Sequence, residues 1–251
     1  MKYYVVSDIH GFYSEFFRAL SQVGFFTETQ PHKLILLGDL FDRGLEAKAL
    51  QDFILELMEQ ERVILVRGNH EDLFVDLVTV DEGVPLRHHV RNGTYSTAIQ
   101  LTKFDPVMAI VKNNDFADAT RQTPLYQRII PAMYDYYETK NYVFVHGWIP
   151  CIQDNGDYIY RVDWRSASGE EWSIARWCNG IDASNTMRDP KTIVCGHYHT
   201  SYGHSKLGEG SEFGPDACFL PYYSDGIIAI DGCVAHSGHV NILLLEDEEI
   251  K

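Results

Sequence analysis

Six short apolar runs rich in β-branched residues each end abruptly at glycine or at a side chain able to do chemistry, and that recurrence constrains the chain more than any other feature. Residues 3–6 lead into Ser7-Asp8-Ile9-His10-Gly11, 34–37 into Gly38-Asp39, and 63–66 into Arg67-Gly68-Asn69-His70-Glu71. Further on, 142–145 lead into His146-Gly147, 193–195 into Gly196-His197-Tyr198-His199, and 227–230 into Asp231-Gly232. Unbroken apolar runs, as opposed to alternating ones, suit strands covered on both faces, and the loops leaving such strands converge at one sheet edge. That edge would collect all the polar side chains. Helical spacing separates the first strands. Phe16, Phe17, Leu20 and Val23 follow Ser14 as an expected N-cap, and Leu50, Phe53, Ile54, Leu57 and Met58 form a core stripe. The N-terminal part reads β-α-β-α-β.

Residues 72–140 turn mostly helical and polar, broken by Asp81-Glu82-Gly83-Val84-Pro85 and by Pro106, Pro124 and Pro131, as expected of a helical elaboration beside the sheet. Residues 151–190 lack clear periodicity but hold Trp164, Trp172 and Trp177, with Trp148 just upstream. This Trp-rich insertion is expected to be the core of a cap before it is a platform for a nucleobase. The tail, Glu246-Asp247-Glu248-Glu249, reads as a solvated end. With no repeat and no low-complexity linker, residues 1–251 are expected to form a single domain. Lys and Arg number 21 against 36 Asp and Glu, a net charge of −15 that disfavours binding to a nucleic-acid backbone or an anionic membrane. Nothing resembles a signal peptide or a membrane span, and five cysteines without a C-x-x-C pair suit reduced thiols, so a cytoplasmic location is expected.

Asp8, His10, Asp39, Asn69, His146, His197 and His199 each follow closely on an expected strand, and together they are carboxylates, a carboxamide and imidazoles. Such donors without thiolate favour Mn, Fe, Zn or similar divalent ions. Seven donors exceed the needs of one catalytic ion with open positions, so two are expected, roughly 3.5–4 Å apart and bridged by a carboxylate. The five fixed positions of Gly38-Asp39-x-x-Asp42-Arg43-Gly44 would match by chance on the order of once per million start points. The order Asp-x-His-Gly, Gly-Asp-x-x-Asp-Arg-Gly, Gly-Asn-His-Glu, His-Gly and Gly-His-x-His resembles the calcineurin-like metallophosphoesterases. It is closest to the phosphoprotein phosphatases and their bacterial relatives, which include the symmetrical diadenosine tetraphosphate hydrolases.

The resemblance implies a four-layer α/β/β/α sandwich and a two-metal phosphoester hydrolase. It implies that Asp8 and His10 bind the first metal, that Asp39 bridges, and that Asn69, His146 and His197 complete the second. His199, in the Gly-His-x-His form common in the wider superfamily, would reach the first metal. His70 needs no metal, and with Asp42 as its orienter it is expected to be the general acid. Arg43 offers a planar fork for two phosphate oxygens, with Asn69 as a further phosphate contact. A second clamp is expected after the His-Gly motif, and Arg165 is preferred to Arg161 and Arg176. The implied reaction is in-line attack on phosphorus by a hydroxide held between the metals. A phosphorylated Ser, Thr or Tyr side chain on a protein is the first expected substrate, with a dinucleoside polyphosphate or other small phosphoester as the alternative. A metallophosphoesterase-like scaffold that binds without turnover is the distant one. His32, His88, His89, His204, His236 and His239 lack motif context and read as structural, Glu71 as a supporting carboxylate, and Cys195 as a buried filler.

Overall fold

The six apolar runs become the parallel strands of two sheets, five of them central and one, residues 63–66, at an edge, and both faces of each sheet are covered. In the computed structural model, which describes residues 1–154, 157–185 and 189–249, the strands are β1 (Lys2–Val6), β2 (His32–Leu37), β3 (Val63–Val66), β4 (Tyr137–Glu138), β5 (Tyr142–Phe144), β6 (Cys151–Asp154), β7 (Asp157–Tyr160), β8 (Thr192–Cys195), β9 (Tyr222–Ser224), β10 (Ile227–Ala229) and β11 (Leu243–Glu246). One sheet has the order β11-β1-β2-β3 and the other β4-β5-β8-β10-β9, while β6 and β7 form a separate hairpin. β1, β2 and β3 are mutually parallel, as are β5, β8 and β10; the flanking strands β11, β4 and β9 run antiparallel.

Side-chain alternation along these strands sorts the core into three layers. Tyr3, Val5, Ile35 and Leu37 of the first sheet meet Phe144, Val194 and Ile228 of the second. Tyr4, Val6, Leu34 and Leu36 point outward onto Phe16 and Leu20 of helix Tyr13–Gln22 and onto Leu50, Ile54 and Leu57 of helix Ala47–Glu59. Val143, Ile193, Cys195 and Ile227 face outward from the second sheet onto Trp148, Trp164, Trp172 and Ile181. The result is the α/β/β/α sandwich. The alternation explains why the runs are apolar at every residue: each face has its own core.

Helices Asn69–Thr79, Arg87–Asn92, Thr94–Thr102, Pro106–Val111 and Asn113–Arg121 follow β3. Pro106 opens its helix, with the Asp105 carboxylate accepting from the amides of Val107 and Met108. Two local expectations are corrected. Ser14 is not a cap: its helix begins at Tyr13, and its amide and hydroxyl donate to Glu46 at 2.9 and 2.5 Å. The acidic tail is not merely solvated, since Glu246 pairs with Lys2 in β11 and Asp247 is buried against Asn141. The five cysteines are free thiols. No helix among the described residues is long and apolar enough to cross a membrane.

Candidate active site

The strand exits bend in a way few side chains tolerate. Asp8, His10, Asp39, Asp42, Arg43 and His197 all have φ between 49° and 72°, the left-handed region that L-residues avoid. Strain of this kind gathers where function demands it. The bends turn the side chains of both sheets inward over a common edge. The amide of His197, leaving β8, donates to the Asp8 carboxylate leaving β1 at 2.9 Å, so the two sheets meet there.

Asp39 lies at the centre. Its Oδ2 is 3.8 Å from Nε2 of His10 and 3.7 Å from Nε2 of His70, while its Oδ1 is 3.3 Å from Nε2 of His146. Ligand atoms of His10, Asp39 and His70 form one compact group, and those of Asp39, His146 and His197 form another, with Asp39 common to both. His10 also approaches Asp8 at 3.9 Å, and His146 Nε2 lies 2.8 Å from the Asn69 amide oxygen. Glu71 supports the centre from behind by accepting from the amides of Gly68, Asp39 and Leu40. Its role is structural.

Ring orientation is fixed by the backbone. The Nδ1–H of His10 donates to the Phe41 carbonyl at 3.1 Å and that of His146 to the Leu37 carbonyl at 2.7 Å, which turns each Nε2 toward the carboxylates. Burial holds His10 and His197 neutral, helped by Arg43 beside the first and His146 beside the second, and lowers His197 to about 4. Neutral imidazole is the metal-binding form. His70 goes the other way: burial opposes its charge, but Asp39 and Asp42 outweigh it and raise its pKa. Its Nδ1 is 2.7 Å from Asp42 Oδ2, and that carboxylate also accepts from the hydroxyls of Thr94 and Thr97 at 2.7 and 2.8 Å. Asp8 is pushed up by burial, and Asp231 by burial and by Asp8 to about 8. Burial opposes charge on His146, but Asp39 and Asp8 outweigh it and raise its pKa to about 10, and its Nε2 donates to the Asn69 amide oxygen. Buried carboxylates crowded against one another call for cations. Oxygen and imidazole donors without thiolate fit two divalent ions.

A family model described as calcineurin-like phosphoesterase matches residues 1–237. The chain belongs to this family. It is a family of phosphoester hydrolases that work with two metal ions. The chain is 33% identical over 241 residues to the asymmetrical bis(5′-nucleosyl)-tetraphosphatase PrpE of Anoxybacillus flavithermus, covering 93% of this chain and 86% of that protein. It is 28% identical over 200 residues to serine/threonine-protein phosphatase 2 of Salmonella typhimurium, covering 79% of this chain and 80% of that one. A cold-active protein tyrosine phosphatase structure shares the fold, with a TM-score of 0.59 at 17% identity over 98% of this chain and 73% of that one.

Within this phosphoesterase, several residues stand apart from the two compact groups. His199 joins neither compact group: its Nε2 lies 2.9 Å from Glu212, and its ring stacks on Tyr198. Arg165, expected as the second clamp, is not brought to Asp39. Its guanidinium lies over the Trp164 ring and bonds to Glu138 at 2.7 Å and Asp189 at 3.3 Å. Arg176, in turn, is engaged by Asp72 and Asp135. Arg43 does reach the site, with Nη2 3.4 Å from His70 Nε2. Asp231 was assigned no role in the sequence, although its run ends like the other five. Trp148, Trp164 and Trp172 are buried as expected, but Trp177 is 52% exposed and its ring meets His197 edge-on.

Proposed function

We propose that this chain hydrolyses the phosphate linkage of a dinucleoside polyphosphate, with His70 protonating the departing oxygen, Asp42 orienting His70, and Arg43 clamping phosphate. The observation that carries the reading is Asp39, whose two oxygens face separate imidazole sets at 3.3 to 3.8 Å beside the His70–Asp42 pair. Asp8, His10 and Asp39 would hold one ion, and Asp39, Asn69, His146 and His197 the other. His199 would join the first by exchanging its bond to Glu212. Mn²⁺ or iron suits these donors, and Zn²⁺ is compatible. Bound there, the ions supply Lewis acidity, which neutralises phosphoryl oxygens and lowers the pKa of water.

The residues of the chain do the rest. With Nδ1 held by Asp42, His70 keeps Nε2 as the atom that can give a proton, and Asp39 and Asp42 bias the ring toward its charged form against the opposing effect of burial. Arg43 lies beside that nitrogen, and its fork can grip the charge that builds on a phosphoryl group. Residues 1–251 would act as one catalytic domain.

The order of substrates expected from the sequence is reversed here. The relative matching 93% of the chain is named as a tetraphosphatase, which supports the polyphosphate reading. The Salmonella relative favours a phosphorylated protein side chain as the second reading. A scaffold without turnover has little support, because every ligand and acid–base position expected of the family is filled. The test is kcat/KM of the Mn²⁺-loaded protein for diadenosine tetraphosphate and for phosphopeptides. A larger value for the nucleotide is expected. A larger value for the peptides would put the second reading first, and no turnover of either would overturn both.

A further inference from the structure

Arg87 and Arg91 stand one turn apart on helix Arg87–Asn92, and with His88 and Asn92 they line a cavity of about 430 Å³. The cavity is cationic in a chain whose net charge is −15. Neither arginine forms an ion pair or hydrogen bond with any described residue, whereas Arg121, Arg128, Arg161, Arg165 and Arg176 each have an acidic partner. Like charges at i and i+4 destabilise a helix. An anion lying across both would relieve the repulsion.

Its position ties it to the chemistry. The helix ends at Gly93, with φ of 93°, whose backbone lies so close to Arg43 that a Cβ there would overlap the Arg43 amide nitrogen. Thr94 and Thr97 follow, and their hydroxyls hold Asp42. One continuous stretch, 87–97, therefore forms the cavity wall and the support of the His70–Asp42 pair. Arg43 in turn lies 3.4 Å from His70, so the stretch that carries the cavity also packs against the residue beside the proton donor.

The same helix offers a rival reading, since ligand atoms of Asp81, His88 and His89 also cluster. The Leu86 amide donates to His89 Nδ1 at 3.3 Å, which puts the proton of the neutral ring on Nε2. That nitrogen faces His88 Nε2 at 3.1 Å and Asp81 at 3.6 Å. His89 gives that proton to His88 and spends its Nδ1 lone pair on the Leu86 amide, so it keeps none for a metal, while Asp81 stands beyond hydrogen-bonding distance.

We propose that the Arg87–Arg91 cavity receives the phosphate chain of the leaving group, a nucleoside polyphosphate departing from a dinucleoside polyphosphate. The proposal rests on the reading of the site as a phosphoester hydrolase and narrows its substrate to one with further phosphates on the leaving side. A side chain bearing a single phosphate fills Arg43 and leaves both arginines unmatched. In the step, the oxygen of water bonds to the attacked phosphorus and a proton of that water passes to solvent. The bond to the bridging oxygen breaks, its electron pair goes to the departing chain, and His70 supplies the proton. Arg87 and Arg91 offset the charge left on that chain.

The test compares wild type with Arg87→Ala/Arg91→Ala, both loaded with Mn²⁺. The ratio of kcat/KM for diadenosine tetraphosphate to that for p-nitrophenyl phosphate should fall by about tenfold or more, mainly through KM. Arg87→Lys/Arg91→Lys should recover part of it. An unchanged ratio overturns the proposal. Binding of inorganic tripolyphosphate and of orthophosphate, measured by calorimetry, separates this failure from that of the hydrolase reading. Wild type should prefer tripolyphosphate and the double alanine variant should lose that preference, even if neither substrate is turned over; a preference that survives the substitutions overturns the cavity's role.

Discussion

His10 and His70 lie with ring centroids 4.8 Å apart over the same carboxylate, yet their surroundings push them in opposite directions. His10 gives its Nδ1–H to a neutral carbonyl and is held neutral; His70 faces Asp42 and Asp39 and is biased toward its charged form. One imidazole is thus suited to binding a cation and the other to giving a proton. His70→Asn should keep the metals but lower kcat about a hundredfold or more for alkyl phosphates, with a smaller deficit for activated aryl phosphates. Equal loss across leaving groups would contradict the acid role. Asp39→Asn should instead impair binding of both ions, read as metal per chain by elemental analysis; an unchanged content would remove the bridging assignment. The motif residues were legible because each closely follows an apolar run. Arg165 and Trp177 show where such legibility ends. Nothing local distinguishes Arg161, Arg165 and Arg176, and only the fold decides that the first Trp residues face a core while Trp177 stands at the rim. Arg87 and Arg91 had no signal in the sequence, since they lie in no motif and their link to Arg43 depends on the contact with Gly93.

At the scale of elements, the six strands read from the sequence are those buried on both faces, where every residue must be apolar. The strands that escaped notice are short or edge strands. β7 alternates exposed and half-buried residues, and two of the three residues of β9 are exposed, so neither carries an apolar run. Ser14 misled because a serine ahead of an apolar stripe looks like a cap, while its partner Glu46 is 32 residues away. The stretch 87–97 is the element on which the acid pair depends. Gly93→Ala should therefore destabilise the fold by about 1–3 kcal/mol through its left-handed φ and also slow turnover by displacing Arg43. Gly208→Ala is the control: φ is 76° there, but no atom lies within 4 Å of the added methyl group. It should cost stability without changing kcat. A Gly93 variant with wild-type kcat would show that the contact with Arg43 does not set the site.

Over the whole molecule, the two ends of the chain close one sheet. β11 pairs with β1, the Met1 amino group donates to the Asp247 carbonyl at 3.0 Å, and the Asp247 carboxylate accepts from the backbone and side-chain amides of Asn141 at 2.8 and 2.7 Å. These bonds join the first sheet to the turn before β5 of the second. Asp247→Ala leaves the Asn141 amides without their acceptor and should destabilise the protein by about 1–3 kcal/mol, seen as a lower denaturant midpoint. An unchanged midpoint would mean that water replaces the carboxylate. The long-range consequence of the sandwich is that side chains from five strand exits, between residues 8 and 197, meet around Asp39. Crystals grown with Mn²⁺ and measured at the manganese absorption edge test that claim most directly. Two anomalous peaks should flank Asp39, one against Asp8 and His10 and the other against Asn69, His146 and His197; a single peak, none, or peaks remote from Asp39 would contradict it.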